Sequence, residues 1–378
     1  MQVRVLRVLA AVLVLTLIGY LFRGRIQRWA LPPQTPPADV AGRSSGAGSP
    51  LFTLVAGELE VPWELAFLPD SSMLITERPG RLTLIAGPRR RSYEIEGVRH
   101  VGEGGLLGLA LHPGFAQNRL LYVYLTGFGG SGFRNRVVRY RLSPSGLEDR
   151  TVILDDIPAA PFHDGGRLGF GPDGFLYVTT GDATDPSYSP ATQSLAGKIL
   201  RVTDGGKPAP GNPFGNAVYS LGHRNPEGLV WDARGRLWAT EHGRSGMESG
   251  LDELNLITAG ANYGWPYYQG DAVRPGVTPP VVHSGPTYTW APSGAAYWKD
   301  RILFGGLRGE ALYEAQISED AKMNVRVHFH AELGRIRIVK LGPDGMLYLG
   351  TSNRDGRGDA RRGDDRIVRM DPEFFQRP

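Results

Sequence analysis

Polar side chains that could bind a ligand or catalyse a reaction stand at the ends of apolar, strand-like runs in this sequence. They are Glu103, His163, Asp182, Arg224, Asn225, Arg308, Arg335 and Arg337. Arginines that converge form a cage for a small polyanion, because the planar guanidinium pairs bidentately with carboxylates. A histidine beside an aspartate can act as a general base near neutral pH. Each residue taken singly also fits a turn, a core hydrogen bond or a solvent-facing strand, so the chemistry depends on the elements that position them.

The apolar runs belong to an internal repeat with six copies. Each copy has a strand, a turn such as Gly-Pro-Asp-Gly, a second strand of aromatic and β-branched residues, and then a third strand-like run. The hairpins begin at Leu65, Leu109, Leu168, Leu229, Ala295 and Ile338. Repeated sheets around an axis make a propeller, and a two-sheet sandwich fits six similar units poorly. The sequence therefore predicts an all-β fold, a six-bladed β-propeller over residues 51–378.

The composition limits the class of protein. With 52 Gly and 29 Pro among 378 residues the chain is too rich in turns for a helical bundle, and 41% hydrophobic residues is too apolar for disorder. The absence of Cys excludes disulfides, thiolate nucleophiles, cysteine-ligated zinc and iron–sulfur clusters. The net charge of +4 comes from scattered arginines rather than a stripe, so we expect no nucleic-acid partner. No Gly-rich turn joins a strand to a helix, which argues against a dinucleotide cofactor.

The first fifty residues differ from the rest of the chain. Residues 8–22 are an unbroken apolar run flanked by arginines, which is typical of a signal peptide or signal-anchor over residues 1–30. No A-x-A site follows the run, which favours an uncleaved anchor over a cleaved signal. Residues 31–50 are rich in Pro, Gly, Ser and Ala and predict a flexible linker. We expect a bacterial cell-envelope protein, periplasmic or otherwise extracytoplasmic, that meets the membrane through its N-terminal segment only.

Several runs resemble the PQQ-dependent soluble aldose and glucose dehydrogenases, the glucose/sorbosone dehydrogenase family of six-bladed propellers. The resemblance covers nearly all of residues 51–378, and the runs that carry it include GEGGLLGLALHPGF, HDGGRLGFGPDGFLYVTTGD, GHRNPEG, ATEHG, GANYGWP and GRIRIV. GHRNPEG and GANYGWP are the most distinctive of them. The resemblance implies oxidation of an aldose at C1 to its aldonolactone. It also implies PQQ and Ca²⁺ as cofactors and an external electron acceptor, either a quinone or a soluble carrier.

The resemblance also assigns roles to the residues that surround the reacting atoms. His163 matches the family's catalytic base, which removes the proton of the C1 hydroxyl, and Asp182 matches the acid that supports this base. Arg224 and Asn225 match residues at the quinone oxygens of PQQ. Glu103 stands where many members have Gln, beside both substrate and cofactor, and adds a negative charge there.

Further cofactor contacts follow from the same resemblance. Arg335 and Arg337 match residues that hold the carboxylates of PQQ. Arg308 stands where many members have Lys, and the replacement keeps a positive charge and hydrogen-bond donors at that position. All three arginines would therefore contact the anionic cofactor.

The resemblance further implies two calcium positions. The active-site ion is held partly by backbone carbonyls after the EHG-like motif, which are those of Gly243 and Arg244 in this chain. A second, structural ion would lie near Glu253 and the carbonyl of Tyr263. Oxygen-only ligands of this kind suit a hard cation such as Ca²⁺.

Two other functions stay open from the sequence. One is a non-catalytic propeller that binds glycans or proteins and keeps only the fold. The other is a calcium-dependent hydrolase of the lactonase type, although that chemistry uses several carboxylate or Asn ligands at the axis, where the candidates in this chain are mostly basic. Fold alone does not separate these functions from the dehydrogenase.

Overall fold

Each of the six hairpins forms the first two strands of a four-stranded antiparallel sheet, and the six sheets surround one axis as the blades of a β-propeller. The computed structural model describes residues 34–37, 51–130, 132–246, 249–272, 274–317 and 323–376. Adjacent blades touch through their first strands, which line the axis. The prediction of an all-β, six-bladed propeller is confirmed.

Within each blade the four strands follow one another from the axis outwards. Blade 1 has β2 (Pro62–Phe67), β3 (Met73–Glu77), β4 (Arg81–Ala86) and β5 (Arg89–Glu94), and blade 2 has β6 (Leu106–Leu111), β7 (Leu120–Gly129), β8 (Gly132–Leu142) and β9 (Leu147–Pro158). Blade 3 has β10 (Leu168–Phe170), β11 (Leu176–Thr180), β12 (Lys198–Val202) and β13 (Val218–Leu221), and blade 4 has β14 (Pro226–Trp231), β15 (Leu237–Glu241), β16 (Glu253–Ile257) and β17 (Val282–His283). Blade 5 has β18 (Pro292–Trp298), β19 (Arg301–Gly306), β20 (Leu312–Gln316) and β21 (Val325–His328), and blade 6 has β22 (Ile336–Leu341), β23 (Leu347–Thr351), β24 (Ile367–Met370) and β1 (Thr53–Ala56).

The helical segments of the described residues are short connections. They include the α-helix α1 (Phe115–Asn118) and the 3₁₀ helices Pro186–Tyr188 and Pro372–Gln376. The six strand-like runs that follow the hairpins in the sequence all form third strands. The fourth, outermost strands carry no comparable repeat. Strand β5 is mostly exposed, begins with three arginines and needs no apolar pattern, whereas β13 and β21 are largely buried but only four residues long.

The Gly-Pro-Asp-Gly turns close their hairpins as the sequence predicts. In blade 3 the amide of Gly174 donates to the carbonyl of Gly171 at 2.9 Å, and Gly174 has φ +78°, a conformation that favours glycine. The carboxylate of Asp173 accepts the hydroxyl of Tyr177 at 3.0 Å and Nε of Arg201 at 2.8 Å. The turn aspartate therefore joins three strands of its blade, and Asp344 accepts the hydroxyl of Tyr348 in the same way in blade 6.

One blade closes the ring by combining both ends of the domain. The outer strand β1 pairs antiparallel with β24, with Thr53 opposite Arg369 and Leu54 opposite Val368. The other strands of this blade come from the end of the chain. Unfolding either end would therefore open the ring.

The hydrophobic core is divided into layers between neighbouring blades rather than gathered at the centre. Six clusters of buried apolar side chains lie in the described part of the chain, each shared by two adjacent blades. Between blades 2 and 3, for example, Tyr122, Tyr124 and Leu176 are fully buried. Near the axis the strands come so close that a Cβ on Gly108 would lie 2.1 Å from the carbonyl oxygen of Gly166. Apolar packing between blades leaves the axis free for polar groups.

A short piece of the linker contacts the propeller. Gln34 donates from Nε2 to the carbonyl of Thr287 at 2.8 Å and accepts the amide of Thr289 at 2.8 Å, and its carbonyl lies 3.1 Å from Nε2 of His330. Within the described residues, no helix has the length and apolar character needed to cross a membrane. The apolar run of residues 8–22 lies outside the described residues, so its role as an anchor or signal stays a prediction.

Candidate active site

A cavity of about 470 Å³ opens at one end of the propeller axis. Antiparallel pairing brings the starts of the first strands and the ends of the second strands to this same end. The candidate residues precede or begin first strands (Glu103, His163, Arg224, Asn225, Arg335, Arg337) or follow second strands (Asp182, Arg308). Six of these eight line the cavity, whereas Asp182 and Asn225 lie directly behind its wall.

His163 and Asp182 form a close pair. Nδ1 of His163 lies 2.7 Å from Oδ1 of Asp182, which leaves Nε2 as the nitrogen that is not engaged by the aspartate. Asp182 is buried, and it also accepts the amide of Thr184 at 2.8 Å and Nε1 of Trp265 at 2.8 Å. A carboxylate held by three donors fixes the imidazole orientation and favours the tautomer with the proton on Nδ1.

Glu103 contacts the backbone of His163 and a second charged residue. Oε2 of Glu103 accepts the amide of His163 at 3.1 Å, and Oε1 lies 2.6 Å from Nη1 of Arg357. Burial alone would raise the pKa of Glu103, but the charges of Arg357, His163 and His242 together hold it well below the ordinary value. Glu103 is therefore ionised, and its charge is balanced by Arg357.

Arg224 places a buried positive charge beside the cavity. Nη2 of Arg224 donates to Oγ of Ser245 at 2.9 Å, and the guanidinium lies 5.3 Å from the ring centroid of Trp265. Nε and Nη1 are buried and have no hydrogen-bond partner among the described residues. Burial lowers the pKa of Arg224 because few groups replace the water it has lost. Asn225, next in the chain, accepts the amide of Gly165 at 2.9 Å and donates from Nδ2 to Oε1 of Glu227, a residue that lines the cavity, at 3.4 Å.

Arg308 resembles Arg224 in its surroundings. Nη1 donates to Oγ of Ser249 and to the carbonyl of Gly246, and Nε is buried without a partner in the part of the chain that the structure describes. Burial also lowers the pKa of Arg308. Within the described ranges, neither Arg308 nor Arg224 forms an ion pair with a carboxylate, so each retains capacity to bind an anion.

Arg335 and Arg337 have acidic partners of their own. Arg335 donates from Nε to Oδ2 of Asp355 at 2.9 Å, and Arg337 donates from Nη1 to Oε2 of Glu227 at 2.7 Å. Burial would raise the pKa of Asp355, but Arg335 and other nearby arginines lower it to about 2. Burial would likewise raise the pKa of Glu227, but the charge of Arg337 lowers it below the ordinary value. These two arginines line the cavity as neutralised pairs rather than as free cations.

The backbone at Gly243 and Arg244 also lines the cavity. The amide of Gly243 donates to Oδ1 of Asp252 at 2.8 Å, and a Cβ at Gly243 would lie 2.2 Å from the carbonyl oxygen of Leu251. Oδ2 of Asp252 accepts hydrogen bonds from Oγ1 of Thr289 and from the backbone amides of Trp290 and Ala291, at 2.6 to 2.8 Å. Asp252 is thus engaged in shaping the wall, and oxygen ligands at this position would come from the backbone.

The predicted second calcium position lies away from the cavity, in blade 4. Glu253 is buried and accepts Nδ2 of Asn255 at 3.1 Å and the amide of Gly270 at 3.3 Å. Burial, together with the charge of Glu241, raises the pKa of Glu253 to about 8. Tyr263 is also buried, and its hydroxyl donates to the carbonyl of Leu256 at 2.6 Å. Within the described part of the chain, no cluster of three or more His, Asp or Glu side chains is arranged to hold a metal.

Sequence reasoning missed several residues of this site. Glu227 and His242 lie within GHRNPEG and ATEHG, and Nε2 of His242 is 3.8 Å from Oε1 of Glu227. Arg357 follows the second strand of blade 6, the same position that Asp182 and Arg308 occupy in their blades. The rule that functional residues stand at strand ends would have found Arg357, whereas its pairing with Glu103 joins residues 254 positions apart.

Comparisons with known proteins agree with this architecture. A family model described as glucose/sorbosone dehydrogenase matches residues 59–362. The aldose sugar dehydrogenase of Escherichia coli is 32% identical over 335 residues, which cover 79% of this chain and 89% of that protein. The PQQ-bound aldose sugar dehydrogenase of Streptomyces coelicolor superposes with a TM-score of 0.78 at 40% identity, covering 84% of this chain and 96% of that one. A Thermus thermophilus protein described as an oxidoreductase of the glucose dehydrogenase type superposes with a TM-score of 0.79 at 48% identity, covering 84% of this chain and 99% of that one. The chain belongs to the glucose/sorbosone dehydrogenase family.

Proposed function

We propose that this oxidoreductase uses PQQ and Ca²⁺ to oxidise an aldose at C1 to its aldonolactone and passes the electrons to an external acceptor. The observation that carries the proposal is the close pair of His163, which lines the cavity, and Asp182 behind it. The same cavity also holds the guanidinium groups of Arg224 and Arg308, which form no ion pair with a carboxylate among the described residues. A general base and an anion site within one cavity are what this reaction requires.

The cavity suits a small polycarboxylate quinone. Its volume of about 470 Å³ lies in the range of small-molecule sites. Arg224 and Arg308 would hold the anion, because buried guanidinium nitrogens of both lack partners among the described residues and a bound carboxylate would supply them. Arg335 and Arg337 would add hydrogen-bond donors, although much of their charge is already balanced by Asp355 and Glu227.

The residues of the chain position and deprotonate the sugar. With the proton of the imidazole on Nδ1, Nε2 of His163 accepts the proton of the C1 hydroxyl. Asp182 stabilises the imidazolium that forms, and Trp265 and Thr184 keep the carboxylate in place. Bound PQQ would supply the acceptor for the hydride that leaves C1. Phe162, which lines the cavity next to the base, contributes an apolar surface that limits water near the reacting atoms.

Calcium would be held partly by the carbonyls of Gly243 and Arg244, two residues that line the cavity. The Arg244 carbonyl also accepts the amide of Gly250 at 3.4 Å, a long hydrogen bond that a cation could replace. A divalent cation there would polarise a cofactor carbonyl as a Lewis acid. The hydrogen bond between the Gly243 amide and Asp252 fixes this part of the backbone, so a carbonyl ligand would be preorganised. A second cation near Glu253 and the Tyr263 carbonyl would balance the buried carboxylates of Glu253 and Glu241.

The location of the protein is also a proposal. We infer that the propeller works in the cell envelope, outside the cytoplasm, tethered by residues 1–30 or released when they are cleaved. The acceptor would be a membrane quinone or a soluble carrier.

The test is cofactor-dependent turnover of the full chain. Protein purified without added cofactor is supplied with PQQ and Ca²⁺, and reduction of a redox dye is followed with a panel of aldoses, with EDTA and no-PQQ controls. Turnover that requires both additions supports the proposal and ranks the sugars. The variant His163→Gln is expected to bind PQQ but not to turn over, and normal turnover by this variant would exclude His163 as the base.

The same assay separates the other candidate functions. If PQQ binds but no sugar reacts, the cofactor assignment holds and the substrate is another alcohol or aldehyde. If PQQ does not bind, a non-catalytic binding propeller becomes the better interpretation. Calcium-dependent lactone hydrolysis without PQQ would favour the hydrolase. The carboxylates of the cavity wall speak against the last outcome, because arginines or backbone amides engage each of them.

A further inference from the structure

Glu103 joins three blades at the edge of the cavity. It precedes the first strand of blade 2, accepts the amide of His163 at the entry to blade 3 and pairs with Arg357 of blade 6. Its own amide donates to the carbonyl of Pro161 at 2.8 Å, so the two loops are linked in both directions. A Cβ at the neighbouring Gly102 would lie 1.9 Å from that carbonyl oxygen, which shows how closely the loops approach.

The backbone of His163 needs such support. His163 has φ +63°, a left-handed conformation that is unfavourable for a residue with a side chain. The Glu103 carboxylate holds its amide, and the amide of Ala183 donates to its carbonyl at 3.2 Å. These bonds and the contact with Asp182 fix both the backbone and the imidazole of His163.

We propose that Glu103 and Arg357 form a positioning pair, in which Arg357 keeps Glu103 in place as an acceptor for the His163 backbone and balances its charge beside the base. The role in catalysis rests on the function proposed above, whereas the effect on His163 does not. A neutral side chain at position 103 could also accept the amide, but it would remove the carboxylate that pairs directly with Arg357 and leave that guanidinium only the longer-range attraction of Asp355 and Glu227. The pair is therefore a matched unit rather than two independent residues.

Other charges also face this unit. The positive groups near Glu103 are His163, His242, Arg78 and Arg224, and the negative groups near it are Asp164 and Glu227. Asp355 and Glu227 also attract Arg357. Asp182 faces the imidazole directly. Because these groups stay the same in the variants below, a change in His163 reports the pair itself.

The experiment compares Arg357→Gln, Glu103→Gln and the double variant in the full chain without cofactor. The side chain of His163 is followed by NMR in histidine-labelled protein, and His163→Gln assigns its signal among the eight histidines. Removing the arginine leaves an unbalanced carboxylate beside the base, so the midpoint of the His163 signal is expected to move to higher pH in Arg357→Gln and to lower pH in Glu103→Gln. The double variant is expected to return close to the wild-type value.

Kinetics on PQQ-loaded protein provide a second readout. In Arg357→Gln the acidic limb of kcat/KM is expected to move to higher pH, with a loss of about tenfold at neutral pH and recovery at alkaline pH. The double variant should recover to within about threefold of wild type. Arg362→Gln, an exposed change of the same charge on the same inter-strand connection of blade 6, should alter neither readout. If Arg357→Gln folds poorly, Arg357→Lys keeps the cation and should preserve the His163 titration.

The outcomes separate this proposal from the proposed function. An unchanged His163 titration in Arg357→Gln, or a double variant no better than the single one, would overturn the positioning pair. A protein that shows the expected titrations but oxidises no sugar would keep the pair and reject the dehydrogenase. Loss of activity without any shift in the pH profile would mark Arg357 as a structural residue only.

Discussion

Nδ1 of His163 lies 2.7 Å from a carboxylate oxygen of Asp182, a residue nineteen positions later at the end of the next hairpin. Trp265, in a long excursion of blade 4, donates to the other oxygen of the same carboxylate. The base is thus oriented by groups from two blades. The arrangement leaves little freedom for the imidazole to turn.

Replacing Asp182 with Asn should impair catalysis without weakening cofactor binding. The amide no longer enforces the tautomer with the proton on Nδ1, nor does it stabilise an imidazolium, so we expect kcat to fall by about 10² to 10⁴. The measurement is steady-state dye reduction together with a fluorescence titration of PQQ. A kcat within about threefold of wild type would show that the pair is not used in the reaction.

Three of the arginines that line the cavity, Arg308, Arg335 and Arg337, should differ in what their removal costs. Arg308→Gln removes a half-buried cation without a carboxylate partner among the described residues, so we expect PQQ affinity to fall by about 10- to 100-fold while the cofactor-free protein keeps its thermal stability. Arg335→Ala and Arg337→Ala should weaken PQQ binding too, but they should also lower the melting temperature, because Asp355 or Glu227 is left buried and charged. Unchanged PQQ affinity in all three variants would show that the anion site lies elsewhere.

Asp164, next to the base, should make stability depend on pH. It is buried, only one of its carboxylate oxygens has a hydrogen-bond partner in the described part of the chain, and burial raises its pKa to about 7. In the unfolded chain the Asp164 carboxyl releases its proton near pH 4. The stabilisation that Asp164 gives the folded state is therefore complete below about pH 4 and is lost as the pH rises to about 7.

The variant Asp164→Asn tests this directly. Chemical denaturation between about pH 4 and 8 should show a flatter profile than wild type and a gain on the order of a few kcal/mol at the alkaline end. The exposed change Glu94→Gln serves as the control. Parallel profiles for wild type and Asp164→Asn would contradict the prediction.

Lys198 should stabilise the loop that follows the second strand of blade 3. Its fully buried ammonium donates to the carbonyls of Tyr188, Ser189 and Ala196 at 2.6 to 2.9 Å. Lys198→Met leaves three carbonyls without their donor, so we expect a loss of about 2 to 4 kcal/mol in the free energy of unfolding. The exposed Lys207→Met is the control, and equal stabilities of the two variants would refute this role.

The repeat made the fold predictable. Apolar alternation and Gly-Pro-Asp-Gly turns are local signals, so three strands of every blade could be identified from short windows. The outer strands could not, because exposed strands such as β5 carry no apolar pattern and buried ones such as β13 are too short to show one. Closure of the ring by β1 and β24 was also invisible, since Thr53 and its partner Arg369 stand at opposite ends of the domain sequence.

The sequence by itself determined the type of residue at each strand end, and from it the candidate base, its aspartate and the arginines of the cavity. Only the tertiary structure decided which charges neutralise each other. Arg335 and Arg337 have buried acidic partners, Glu103 has Arg357, and Arg224 and Arg308 have none among the described residues. The physical reason is that an ion pair depends on a distance of a few ångströms between atoms, and six blades folded around one axis set those distances without leaving a trace in the local sequence.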